Sequence, residues 1–181
     1  MSNRSPEHDY SQLPSALDFW LTQRLKQLHV ATPAIVESYD APTKRAKVVP
    51  AIRLLMTDGK ELRQAPIVDV PVVHTGGGGL AAVVPLKPGD KVFLVFGQRG
   101  VRQFKRLWAE ACPEVDSLFD RRDAFAFAMG TAKEITPVDE DALVLQTEDG
   151  TDYVALKKGS IVLETTGTIT LRSGGDVLVV Q

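Results

Sequence analysis

A single cysteine, Cys112, stands among 181 residues, which excludes an internal disulfide framework and any multi-cysteine zinc site. It is expected to be a small buried hydrophobe and not a nucleophile. Histidine is almost as scarce: His8, His29 and His74 are scattered, none at i, i+4 and none beside carboxylates at ligand spacing. A metal site within one chain is therefore not expected, and no cofactor is implied. No apolar run approaches the roughly 18 residues of a membrane span, and the N-terminus lacks a signal-peptide apolar region. Those absences predict a soluble chain made in the cytosol. The formal net charge of −2 removes the global basic field that would attract nucleic acid or anionic lipid. There is also no G-x-S-x-G, no H-E-x-x-H and no Cys–His pairing, so no enzyme is expected.

The chain does have a rhythm at its end. From Tyr153 the sequence aligns in eights as YVALKKGS, IVLETTGT, ITLRSGGD and VLVVQ. One column holds Tyr153, Ile161, Ile169 and Val177, and a second, two residues on, holds Ala155, Leu163, Leu171 and Val179. Side chains two apart share a strand face, so both columns are expected on one face, with Val154, Val162, Thr170 and Leu178 on the other. Gly159, Gly167 and Gly175 recur at the corners, and Gly150 closes the turn before the first unit. Glycine there permits a positive φ. Each unit is thus one short strand and one corner, too small to bury a core alone. Units of this kind must stack, and three chains wrapped about one axis would enclose the two columns and pair every edge. The alternative is an antiparallel meander packed on the preceding domain. The tail stops on an apolar strand without a polar cap, so a further protein or a missing tip is expected to cover it.

The rest divides into an arm and helix (1–32), a β domain (33–130), a linker (131–141) and the tail (142–181). The arm, 1–12, is expected to be flexible. The spacing of Leu17, Trp20, Leu21, Leu25 and Leu28 predicts an amphipathic helix over 15–29 that lies across a barrel or packs on a neighbouring subunit, with membrane insertion the weaker option. Strands are expected at 34–40, at 45–55 with an interruption at Pro50, and at 67–74, 80–86 and 91–97. Turns fall at APTK, TDGKE and KPGD, a helical or irregular closure at 101–111, and a last strand within DAFAFAM. Five or so strands without a crossover helix favour a small closed barrel of OB type over a sandwich. The expected fold is mainly β: an N-terminal helix, this barrel, and an intertwined trimeric β-helix.

Few residues suggest chemistry. HTGGGGL lacks the lysine and hydroxyl of a phosphate loop and leads into a strand, so it reads as a flexible inter-strand loop. Glu110, Glu114 and Asp116 read as a solvated acidic loop, not as a hydrolase pair. Arg99, Arg102, Lys105 and Arg106 with Phe104 and Trp108 form one basic–aromatic cluster. OB barrels bind single strands with such clusters, which keeps single-stranded nucleic-acid binding as the alternative function. The preferred reading packs Phe104 and Trp108 inward and leaves the charges in solvent.

The segments AIVESYDAPTKRAKVVPAIR, APIVDVPVVHTGGGG, AAVVPLKPGDKVFLVFGQRG and DRRDAFAFAM together resemble the N-terminal OB domain of central spike proteins from the baseplates of contractile-tailed bacteriophages and related injection machines. The octads resemble the triple-stranded β-helix that follows the barrel in such spikes. That resemblance implies a non-enzymatic homotrimer at the tip of the tail tube, made in the host cytoplasm and located in the virion baseplate. It implies a barrel attached to tail hub proteins, with the 15–29 helix as candidate contact to the hub or to a neighbouring protomer. It implies a needle that helps puncture the host outer membrane for genome ejection, with transient membrane contact and no nucleic-acid partner. Some spikes carry a lysozyme domain between barrel and needle, for which the short linker leaves no room. Many end in a His-x-His iron tip, and no histidine follows His74 here. A separate tip protein is the expected partner at that end.

Overall fold

The computed structural model describes residues 12–56, 58–114, 116–130, 135–174 and 176–180. The chain forms two compact units, Met1–Met129 and Gly130–Gln181. The expectations for residues 1–11 and for Gly175 lie outside the described residues, as does the side chain of Val177.

In the first unit, helix α1 (Gln12–Leu25) leads to strands β1 (Ala31–Asp40), β2 (Arg45–Pro50), β3 (Leu54–Leu55), β4 (Glu61–Leu62), β5 (Ile67–Val73), β6 (Thr75–Gly77), β7 (Leu80–Ala82) and β8 (Lys91–Phe96). Helix α2 (Arg102–Leu107), a 3-10 turn (Arg121–Asp123) and β9 (Ala124–Ala128) complete it. Strands β1, β2, β5, β9 and β8 close a barrel in that order, antiparallel throughout except for the parallel β5–β9 pair. This is an OB-like barrel. Alternation drives its closure. Along β8, Val92, Leu94 and Phe96 point inward and meet Ala34 and Val36 of β1, Val48 of β2, Val70 and Val72 of β5, and Ala124 and Ala126 of β9. The pairing shifts register between Val36 and Ser38 and again between Ala46 and Val48. Such bulges sharpen strand curvature, as a five-stranded barrel requires. The Pro-Gly-Asp turn seals one end: Gly89 adopts φ +99, its N–H donates to Val36 O at 2.9 Å, and Asp90 Oδ2 accepts from Lys87 N.

Several boundaries differ from the sequence reading. Helix α1 ends at Leu25 instead of 29, because tighter i→i−3 bonds at Gln27 and Leu28 unwind it. His29 then donates its N–H to Phe119 O at 3.3 Å on the barrel side. The long second strand stops at Pro50, which has no N–H to continue a ladder, and β3 resumes as part of a separate hairpin with β4. The glycine run is an ordered hairpin and not a loose loop: Gly78 and Gly79 take φ +60 and +84, the two-residue turn that suits strand twist. Only Leu80–Ala82 of the expected 80–86 strand pairs.

In the second unit, β10 (Leu143–Gln146), β11 (Tyr153–Lys157) and β12 (Ser160–Glu164) form an antiparallel sheet, and β13 (Ile169–Ser173) and β14 (Asp176–Val180) form a hairpin. The single chain thus folds its tail into hairpins, not into a β-helix. Gly150 and Gly159 sit at φ +72 and +85, whereas Gly167 is not among the positive-φ glycines, and its N–H is held by Thr165 Oγ1 at 3.1 Å. In the last hairpin Gly174, at φ +58, carries a left-handed corner.

Candidate functional site

The three-stranded sheet of the second unit presents an uncovered apolar face. Register fixes its members: Leu143 opposes Leu156, Leu145 opposes Val154, Val154 opposes Leu163, and Leu156 opposes Ile161. Residues directly opposite share a face. Leu143, Leu145, Val154, Leu156, Ile161 and Leu163 therefore line one side of the sheet without a polar residue among them. Leu145 and Ile161 are each 69% exposed and Leu163 is 50% exposed. The other side mixes Val144, Gln146, Tyr153, Ala155, Val162 and Glu164, and here Ala155 is buried. Its polar members are tied down locally. Tyr153 Oη donates to Glu164, a bond that raises the phenol above its ordinary value, and the Gln146 side chain bonds Thr136 O and Val138 N at 2.8 and 3.0 Å.

This register corrects the one-face expectation for the octad columns. Hairpins with two-residue turns, such as Lys158-Gly159, pair residues of opposite parity: Lys157 opposes Ser160. Tyr153 and Ala155 consequently lie on the opposite side from Ile161 and Leu163. The same holds in the last hairpin, where Leu171 opposes Leu178 while Thr170 opposes Val179, which separates Ile169 and Leu171 from Val179. Ile161, Leu163 and Leu171 are exposed in the single chain.

On the barrel unit, α1 leaves Leu17, Trp20, Leu21 and Leu25 exposed, with Leu28 just beyond it. The basic–aromatic cluster folds opposite to expectation. Phe104 and Trp108 stack edge to face at 5.5 Å and stay exposed, while Lys105 goes inward, 5% exposed. Helix α2 is a short segment whose i and i+3/i+4 neighbours cannot all face solvent, and Phe125 of β9 offers Lys105 a ring face at 5.1 Å from its Nζ. Cys112 is exposed, not buried.

Around Lys105 a cleft of about 380 Å³ is lined by Arg45, Val68, Asp69, Arg102, Lys105, Arg106, Glu114 and Arg122. Arg45 is committed: it pairs with the Asp69 carboxylate at 3.0 Å and donates to Lys105 O at 2.9 Å. Arg122 grips Asp120 through Nε and Nη2 at 3.1 and 2.8 Å, and that hydrogen bonding holds the Asp120 carboxyl down at about 2. Arg106 pairs with Glu114. Asp123 is fully buried, with Oδ1 accepting from Val101 N at 3.1 Å and Oδ2 without a hydrogen-bond partner. The sequence reading missed Arg45, Asp69, Asp120, Arg122 and Asp123 as members of this cluster. The DRRD run just before an apolar strand was the available signal, since like-signed and opposed charges packed so tightly beside a core seldom remain independent.

A family model described as Phage protein Gp138 N-terminal domain matches residues 32–130. The chain belongs to this family. The matched span contains the barrel, α2 and the basic cleft, and it supports a phage structural role of the baseplate or spike type. The tail strands lie beyond the match. A comparison with curated proteins finds no match. Among the described residues of this Gp138-type chain, no group of three or more histidine, cysteine, aspartate and glutamate side chains is placed to hold a metal, and no helix is long and apolar enough to cross a membrane.

Proposed function

We propose that the chain is a non-enzymatic central spike subunit of a contractile tail baseplate, working as a homotrimer. Its barrels attach to tail hub proteins, and the tails of three copies braid into a shaft that transmits contraction force to the host outer membrane. The observation that carries this reading is the tail's uncovered apolar face in a phage-family chain whose tail sequence repeats every eight residues. A lone three-stranded sheet with one face solvated and apolar is marginal, and a trimer removes that face and the strand edges from water together. A braided shaft resists axial load because no chain slides without breaking its pairing to two others. The exposed apolar residues of α1 supply a contact to the hub or to a neighbouring protomer.

Truncation after Asp141 tests this reading. The remaining barrel is expected to stay folded and to lose the trimer, and a trimer that persists without the tail contradicts it. The exposed pair Phe104 and Trp108 favours a second reading, single-strand nucleic-acid binding. That reading requires salt-sensitive binding of an oligothymidine that disappears in the Phe104→Ala, Trp108→Ala variant.

A further inference from the structure

Two cations that line the barrel cleft are held less closely than the other three. Arg45, Arg106 and Arg122 are each paired with a carboxylate of this chain. Arg102 is paired only loosely: its Nη2 lies 3.9 Å from Asp120 Oδ2, which Arg122 holds at 2.8 Å, and that shielded nitrogen has no hydrogen-bond partner. About a third of the Arg102 side chain remains accessible. Lys105 is almost fully buried, yet its Nζ donates only to the carbonyl of Arg122, at 3.0 Å, and none of the ion pairs among the described residues includes it. Asp123 supports that ammonium through space without pairing with it, and a buried ammonium lacking a direct ion pair is costly, as is a guanidinium nitrogen without an acceptor. Both side chains line the same cleft.

We propose that this cleft receives a carboxylate carried by an acidic peptide segment of a partner protein, held between Arg102 and Lys105. One carboxylate oxygen meets the accessible part of the Arg102 guanidinium, and the second oxygen faces the ammonium of Lys105. The cleft's own composition favours a carboxylate over a nucleic-acid backbone. Asp69 and Glu114 stand in its wall, and Arg45, Arg106 and Arg122 are already paired, which leaves Arg102 and Lys105 for one carboxylate to bridge and no further cations for a run of phosphates. The site stands independently of whether the tail trimerises.

Lys105 also gives the site a readout that a surface patch would lack. Burial pulls its ammonium down from 10.5 to about 8; Asp123 and Asp69 oppose that fall, and Arg45 and Arg102 add to it. Loss of the Lys105 charge above that value removes half of the grip, so affinity falls between pH 7 and pH 9 while Arg102 stays charged.

Isothermal titration of the full chain at low salt with a capped Asp-Glu-Asp-Glu peptide tests the proposal, with capped Asn-Gln-Asn-Gln, oligothymidine and inorganic phosphate run alongside. Saturable binding of the acidic peptide, weakened roughly tenfold by Arg102→Gln and again on moving to pH 9, is the expected result. Circular dichroism confirms that Arg102→Gln folds, and Lys105→Met serves as the second variant where it folds. The proposal is overturned by no saturable binding, by binding indifferent to Arg102→Gln, or by oligothymidine or phosphate binding as tightly as the peptide.

Discussion

Leu163 separates a buried shaft from a solvated hairpin. It lies on the uniformly apolar side of the tail sheet and also in the octad column, and it is 50% exposed in the single chain. Full burial of a leucine is worth about 1.5–3 kcal/mol, so covering its remaining half and filling its socket contributes about 1–2 kcal/mol per chain. Three chains make that roughly 3–6 kcal/mol per trimer, or roughly two to four powers of ten in the association constant. Because trimerisation depends on the square of concentration, Leu163→Ala is expected to raise the midpoint concentration of assembly by roughly ten- to a hundredfold. Sedimentation velocity over a dilution series measures it, with the thermal transition of the barrel as an internal control that should not move. A midpoint shifted less than about threefold means the side chain stays in water, and the reasoning fails.

Leu156→Lys distinguishes the two ways of facing the tail inward: it abolishes assembly if the single-chain sheet docks by its apolar side, and it is tolerated if octad columns face the axis, as sedimentation of the variant reads out directly. Leu94→Ala, at a fully buried barrel position, is expected to lower barrel stability by about 2–5 kcal/mol in denaturant titration without altering the assembly midpoint. For Lys105 the folded value near 8 lies below the 10.5 of the free side chain, so the unfolded state holds an extra proton between those values. Barrel stability is therefore expected to gain from this group as pH rises from about 8 to about 10.5, and below 8 the full cost of the buried charge applies. Urea midpoints of the parent and of Lys105→Met across that range check it, since the variant lacks this contribution.

Much of the barrel was legible because alternation and turn chemistry act locally. KVFLVF buries every second residue, PGD makes its turn through one positive-φ glycine, and Pro50 stops a strand by lacking a donor. The failures share a cause: each depended on what a residue meets across the chain. Lys105 is buried because Phe125 and the Arg122 carbonyl await it, and no spacing within RQFKRL announces that. The basic cleft draws on β2, β5, α2 and the 3-10 turn, which the sequence leaves far apart. The octad columns were read as one face because translation by eight preserves parity, whereas a two-residue hairpin turn inverts it. Which rule governs the assembled tail depends on the partners of its strands, and a single chain pairs only with itself.

The molar mass of the full-length chain in solution, by light scattering coupled to size exclusion at micromolar concentration, bears most directly on the spike reading. About three times the 19.7 kDa of one chain is the expected value, held under dilution and mild detergent. A mass of 19.7 kDa with the tail folded would contradict it.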